Sequence, residues 1–270
     1  MSFKLLFKTG QIFKLGKKAV VAEGPPVVVF DPTGYILDNS YAQFVIQHSF
    51  QIQFACLLAY AFVHGVKVFK SVNPKASPVF KLLSLTLACT GGGILVPIFL
   101  NSIPVPLASD VYIVAILISF ALHSRFPILR ELFSKNIALQ LILIVLYETT
   151  RAGVVCKFTK KAGETILASW LPYPLFGPIM CGTVSGCGGA FMPLSKGLEP
   201  TRAGMPKPAK TALIGAAAYH LFVNTKLTDG VIDAPQKGQV LVASFFISVS
   251  LVDLLMPLLL KKVEAKKKAD

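Results

Sequence analysis

The segments SPVFKLLSLTLACTGGGILVP (77–97) and YPLFGPIMCGTVSGCGGAFMP (173–193) align without a gap at an offset of 96. Identities fall at Pro78/Pro174, Phe80/Phe176, Gly92/Gly188, Gly93/Gly189 and Pro97/Pro193. Glycine and proline govern backbone geometry, so a shared leading proline, glycine pair and trailing proline predict two helices with the same kink. Each stretch is long and apolar enough to be read as a membrane helix.

Working outward, seven apolar segments appear, at about 41–69, 78–100, 107–123, 136–156, 172–194, 209–223 and 240–260. The first is the most polar, with Gln43, Gln47, His48, Gln51, Gln53 and His64, and the sixth is the shortest. The two matching stretches are the second and fifth spans, and three intervening crossings reverse the direction of the chain. The expected fold is therefore an all-α membrane protein: seven transmembrane helices arranged as a 3+3 inverted repeat plus one C-terminal helix. The domains read as a basic amphipathic segment and connector (1–39), a first repeat (40–135), a second (136–226), a seventh helix (227–260) and a basic tail (261–270).

Composition agrees with this class. The 270 residues are 54% hydrophobic and only 15% charged, with a mean hydropathy of +0.65. Seven spans of about 20 residues leave no room for a separate soluble enzyme domain. The net charge of +14 comes from lysines and arginines lying between apolar runs, which points to anionic lipid headgroups rather than nucleic acid. In 1–24, five lysines interrupt the apolar residues, as in a helix lying on a bilayer surface, and an organelle transit peptide is the alternative.

Loop charge sets an orientation. On the C-terminal side the loops at 67–75, 125–135 and 196–210 hold three, three and four Lys or Arg and the tail five, against five, three and two on the N-terminal side. The bias predicts a cytosolic C-terminus and a lumenal N-terminus.

Little in the sequence suggests covalent chemistry. The five cysteines lie in or beside apolar runs without CxxC spacing, and the four histidines are scattered, so neither a metal site nor an enzyme is expected. Asp110 reads as a helix N-cap, and Asp253, inside the seventh span, needs a Lys or Arg from another helix. The fourth span carries Tyr147, Glu148 and Arg151 near its end. Glu148 and Arg151 stand at i, i+3, where they can neutralise each other, and Tyr147 and Arg151 at i, i+4, where they could meet a phosphate together. A structural pair near the interface is the other reading. Gly91, Gly92 and Gly93, with Gly186, Gly188 and Gly189, either expose carbonyls to a pore or let helices pack closely.

GGGILVPIFL (91–100), YETTRAGVV (147–155), GTVSGCGGAFM (182–192) and MPKPAKTALIGA (205–216), in this order, make residues 40–260 similar to the trimeric intracellular cation (TRIC) channel family. The resemblance implies a homotrimer of the endoplasmic reticulum or a related membrane, with one pore per subunit, in which potassium flux balances charge during calcium release and uptake. It also implies a phosphoinositide-binding and gating cluster. The family's Lys-Glu-Val motif followed by Arg is matched here at Glu148 and Arg151, whereas Tyr147 and Thr149 replace its Lys and Val. A neutral phenol removes one phosphate-attracting charge. Lys210, in Pro208-Ala209-Lys210, matches the family's Pro-x-Lys start of the sixth helix. The ending Lys267-Lys268-Ala269-Asp270 looks like a dilysine retrieval signal. No cofactor is implied beyond a bound phosphoinositide and permeant K+. A secondary transporter of a small solute is the alternative use of an inverted repeat.

Overall fold

The computed structural model describes residues 31, 33–47, 49–168, 171–191, 199–225 and 231–267, the last seven by backbone alone. The amphipathic segment read over 1–24, Pro193 and the end of the dilysine signal lie outside the described residues. Among those described every regular element is helical: α1 (Ser40–Val45), α2 (Phe50–Ser71), α3 (Pro78–Phe99), α4 (Val105–Ala108), α5 (Asp110–Arg125), α6 (Ile128–Lys135), α7 (Ile137–Thr165), α8 (Phe176–Cys187), α9 (Lys207–Asn224) and α10 (Ala234–Lys267).

Local chemistry sets the helix starts. The side chains of Asn39, Ser49, Ser77 and Asn136 accept from the amides of Ala42, Ile52, Phe80 and Leu139, satisfying donors that a helix leaves open at its first turn. Pro78 opens α3 at a position where its missing N–H costs nothing. Asp110 does not fill the capping role expected of it. Ser109 occupies the N-cap without a side-chain bond, and Asp110 is the first helical residue, where its carboxylate favours the positive end of the helix dipole.

Among the described residues four helices are long and apolar enough to cross a membrane: α2, α3, α7 and α10 over Ala234–Leu260. A fifth span arises if α5 and α6, which meet at 97°, are taken together. The remaining expected spans take other forms. The first divides at Gln47, whose φ of 54° ends α1 before Ser49 restarts the chain as α2. The fifth contracts to the 12 residues of α8, followed by a 3-10 turn over Gly188–Phe191. At 1.5 Å per residue α8 covers about 18 Å, short of a hydrocarbon core about 30 Å thick. The sixth is α9, whose 18 residues include Lys207, Lys210 and His220. The fourth runs nine residues past Cys156, because Phe158, Thr159 and Ala162 bury one face of the extension.

Two trios of helices carry the packing. Ala61 and Val68 of α2, Leu85 and Cys89 of α3 and Ile116 of α5 form one core. Ala152, Val155 and Cys156 of α7 pack with Ala212, Ala216 and Tyr219 of α9 and with Val240, Ala243 and Phe246 of α10 in another. A third, with Val96 of α3, Phe158 of α7 and Cys181 of α8, joins them.

The glycine pairs meet at the crossing of α3 and α8. A β-carbon on Gly91 would lie 2.7 Å from the Gly188 carbonyl oxygen, and one on Gly92 2.7 Å from the Ser185 α-carbon. Backbone therefore touches backbone, which a side chain at either position forbids. The two copies do not share a kink. α3 continues as α-helix through Gly91–Gly93, whereas α8 ends at Cys187 and tightens into the 3-10 turn. The matching glycines serve first as mutual packing surfaces, and Gly186 likewise lies against Val155 and Ala212.

Candidate functional site

The fourth-span cluster lies where α7 is enclosed by α8, α9 and α10. Glu148 and Arg151 are each 4% exposed. One turn of helix brings them together, with Arg151 Nη1 donating to Glu148 Oε2 at 2.9 Å. The rest of the guanidinium is also used. Nε donates to the Gly186 carbonyl at 3.0 Å, and Nη2 donates to the Pro208 carbonyl and to Thr211 Oγ1 at 2.5 and 2.6 Å. Its plane lies 4.4 Å from the centre of the Phe246 ring. Ser250 of α10 donates to the second carboxylate oxygen of Glu148 at 2.7 Å. A buried charge pair is tolerable when its remaining hydrogen-bonding capacity is largely met, and here four of the five guanidinium N–H groups and both carboxylate oxygens have partners.

Arg151 thus holds three elements at once, the end of α8, the start of α9 and its own helix, with α10 tied in through Glu148. Its donors face protein acceptors rather than a surface on which a phosphate would dock. Tyr147 faces elsewhere: its ring stacks on Tyr60 at 4.9 Å, and its hydroxyl stands 3.4 Å from His64 Nε2. Lys67 Nζ lies 5.4 Å from the centre of the Tyr147 ring. Lys210 is exposed on the first turn of α9, in the turn that Arg151 grips from inside. Asp253 has the partner it needed. Lys207 Nζ bonds its carboxylate at 2.7 Å, linking the start of α9 to α10.

Sequence reading missed the residues lining a series of cavities between the two trios. Tyr60, His64 and Lys67, at i, i+4 and i+7 on one face of α2, line a cavity of about 290 Å³ together with Tyr147, Ser185, Gly92 and residues 186–190. Tyr60 and Ser185 also border a narrow space of about 40 Å³ with Cys89, Thr90 and Tyr112. That space shares Val105, Tyr112, Val154 and Lys157 with a third cavity, of about 470 Å³, lined by Gln47, Gln53, Ser109, Thr150 and Gln239. The signal was present in the polar residues of the first span, but their destination required the packing.

Hydroxyls, amides and backbone around a narrow neck between two wider chambers can replace part of an ion's hydration shell. Among the described residues no group of three or more His, Cys, Asp or Glu is placed to hold a metal.

The fold has counterparts among solved structures. A Trimeric Intracellular Cation channel from C. elegans, solved in the absence of Ca2+, superposes with a TM-score of 0.63 at 20% identity, covering 82% of this chain and 96% of that one. The chain has the TRIC channel fold. A TRIC counter-ion channel, whose structure concerns activity in calcium release, matches at 0.63 and 22% identity over 80% of this chain and 99% of the other. A TRIC cation channel solved for the basis of its conductance matches at 0.53 and 19% identity, over 77% and 93%. No family model and no curated protein matches the sequence.

Proposed function

We propose that the protein is a monovalent, potassium-permeable cation channel of an intracellular membrane, a member of the TRIC family that assembles as a homotrimer with one pathway in each subunit. The chain of cavities from Lys67 to Lys157 between the two helix trios carries this reading. A neck bordered by Tyr60, Thr90, Tyr112 and Ser185 offers a cation hydroxyl oxygens while keeping the rest of the membrane sealed. A proton- or sodium-coupled transporter of this architecture uses intramembrane carboxylates or histidines. Among the described residues the cavities are lined by no carboxylate and by one histidine, His64, a set too sparse for ion coupling, which favours passive conduction.

Residues 40–135 and 136–226 are the two inverted repeats, and the loop lysines place the C-terminus in the cytosol. Counter-ion flow during calcium release and uptake is the physiological role, in the endoplasmic reticulum. Anionic lipid, phosphoinositide included, acts at the start of α9, with Lys210 as the exposed contact. Arg151 and Glu148 transmit its effect to the pathway wall at Gly186, and Tyr147 forms part of that wall.

Purified protein in planar bilayers under a potassium gradient tests the proposal. Discrete unitary currents reversing near the potassium equilibrium potential are expected. Saturating solute flux with no unitary current, with and without phosphoinositide, would mean a transporter instead.

A further inference from the structure

We propose that Lys67 and Lys157 are the charge-selective residues of the pathway, admitting monovalent cations and holding divalent ones out. The inference rests on the channel reading and assigns selectivity to side chains that lie outside the Tyr147–Arg151 cluster.

Lys67 borders the 290 Å³ cavity, and Lys157 borders both the neck and the 470 Å³ cavity. Neither has a carboxylate within ion-pair distance among the described residues. The buried carboxylate of α7, Glu148, is occupied by Arg151 and Ser250. Lys67 lies over the ring of Tyr147, and Lys157 follows Tyr147 by ten residues on α7, about 15 Å of helix rise, so the two lysines sit at different depths along the pathway.

These two ammonium groups are the charged side chains lining the cavities among the described residues, and the partial negative charge of the surrounding hydroxyl, amide and backbone oxygens offsets them for a singly charged cation. Repulsion scales with the charge of the ion, and low-dielectric surroundings strengthen it. A lysine that slows a monovalent cation about threefold therefore slows a divalent one about tenfold, because the barrier doubles. Long flexible stems let each ammonium withdraw into its wide chamber as a monovalent ion passes. Hydroxyl and carbonyl dipoles in the neck then compensate the lost water of the singly charged ion.

Bi-ionic reversal potentials for K+ against Ca2+ test this, on reconstituted wild type, Lys67→Met, Lys157→Met, the double variant and Lys157→Arg. Lys157→Gln provides a second neutral replacement, matching the neighbouring glutamines, should Lys157→Met fail to fold. Each neutral single variant should raise the Ca2+/K+ permeability ratio several-fold and the double variant at least tenfold, with unitary K+ conductance rising two- to threefold. Lys157→Arg should behave as wild type. Intact K+ currents with an unchanged permeability ratio in the double variant would overturn the assignment while leaving the channel reading in place. Absence of any K+ current in the wild type would overturn the channel reading, and this inference with it.

Discussion

The Nε of Arg151 donates to the carbonyl oxygen of Gly186, 3.0 Å away, in the last turn before α8 gives way to its 3-10 extension. A carbonyl near a helix end lacks its usual intrahelical partner, and an arginine from the neighbouring helix supplies one. The same guanidinium holds the start of α9, so the wall of the 290 Å³ cavity is braced from behind.

Arg151→Ala should therefore destabilise the fold by about 3–5 kcal/mol, since it leaves Glu148 buried and unpaired. Arg151→Lys should recover only part of this, because an ammonium cannot reach the separate acceptors of the fork. Thermal unfolding in detergent would measure both. The Glu148→Ala/Arg151→Ala double variant should lose less than the sum of the singles, and additive losses would mean the two residues do not act as a pair. In bilayers Arg151→Ala should also change open probability and weaken the response to phosphoinositide. Wild-type behaviour in both would remove the cluster from gating.

Gly92→Ala should be poorly tolerated. The added methyl meets Ser185 backbone atoms that have no rotamer to change. Overpacking of a rigid contact costs about 1–3 kcal/mol, and here α3 and α8 must part. Gly153→Ala, whose methyl would meet only the flexible amide of Gln239 at 3.5 Å, should be nearly silent and provides the control. A melting temperature for Gly92→Ala equal to that of the control would contradict the close crossing.

Cysteine chemistry can trace the cavities through the native thiols. All five cysteines are buried; Cys187 lines the 290 Å³ cavity and Cys89 the neck, whereas Cys56, Cys156 and Cys181 line none of the three. A small cationic methanethiosulfonate reagent should reduce K+ current in the wild type and have no effect on Cys89→Ser/Cys187→Ser. Persistent inhibition of the double variant would place the water path elsewhere.

The Lys207–Asp253 bridge should contribute little. Its side chains are 73% and 43% exposed, and solvent screening leaves exposed ion pairs worth less than about 1 kcal/mol. Asp253→Asn should shift the melting temperature slightly, and by less in high salt. A loss as large as that from Arg151→Ala would mean that this contact governs the seating of α9 on α10.

Much of the architecture was legible in the residues. The apolar runs located every long helix, and the Gly and Pro positions of 77–97 and 173–193 identified the two elements that meet at the centre. Glu148 and Arg151 were recognisable as a pair because a helix places i and i+3 on one face. The short form of α8 was harder to see, since Pro172 and Pro174 precede it and Gly188 and Gly189 follow it inside one continuous apolar run. Apolar length records what lipid or protein interior will accept and says little about where the backbone changes form.

Composition and the length of the apolar runs alone determined that this is a multi-helix membrane protein, because a continuous apolar run of about 20 residues satisfies its backbone in lipid by hydrogen bonding within one helix. Tertiary structure decided what the polar residues do. Arg151 faces protein carbonyls, Asp253 meets Lys207, and Tyr60, Lys67 and Lys157 border a shared series of cavities. Each of those assignments depends on residues distant in sequence converging in space. Side-chain charge and spacing give a group its capacity to bond, and only the packing of one helix against another selects its partner.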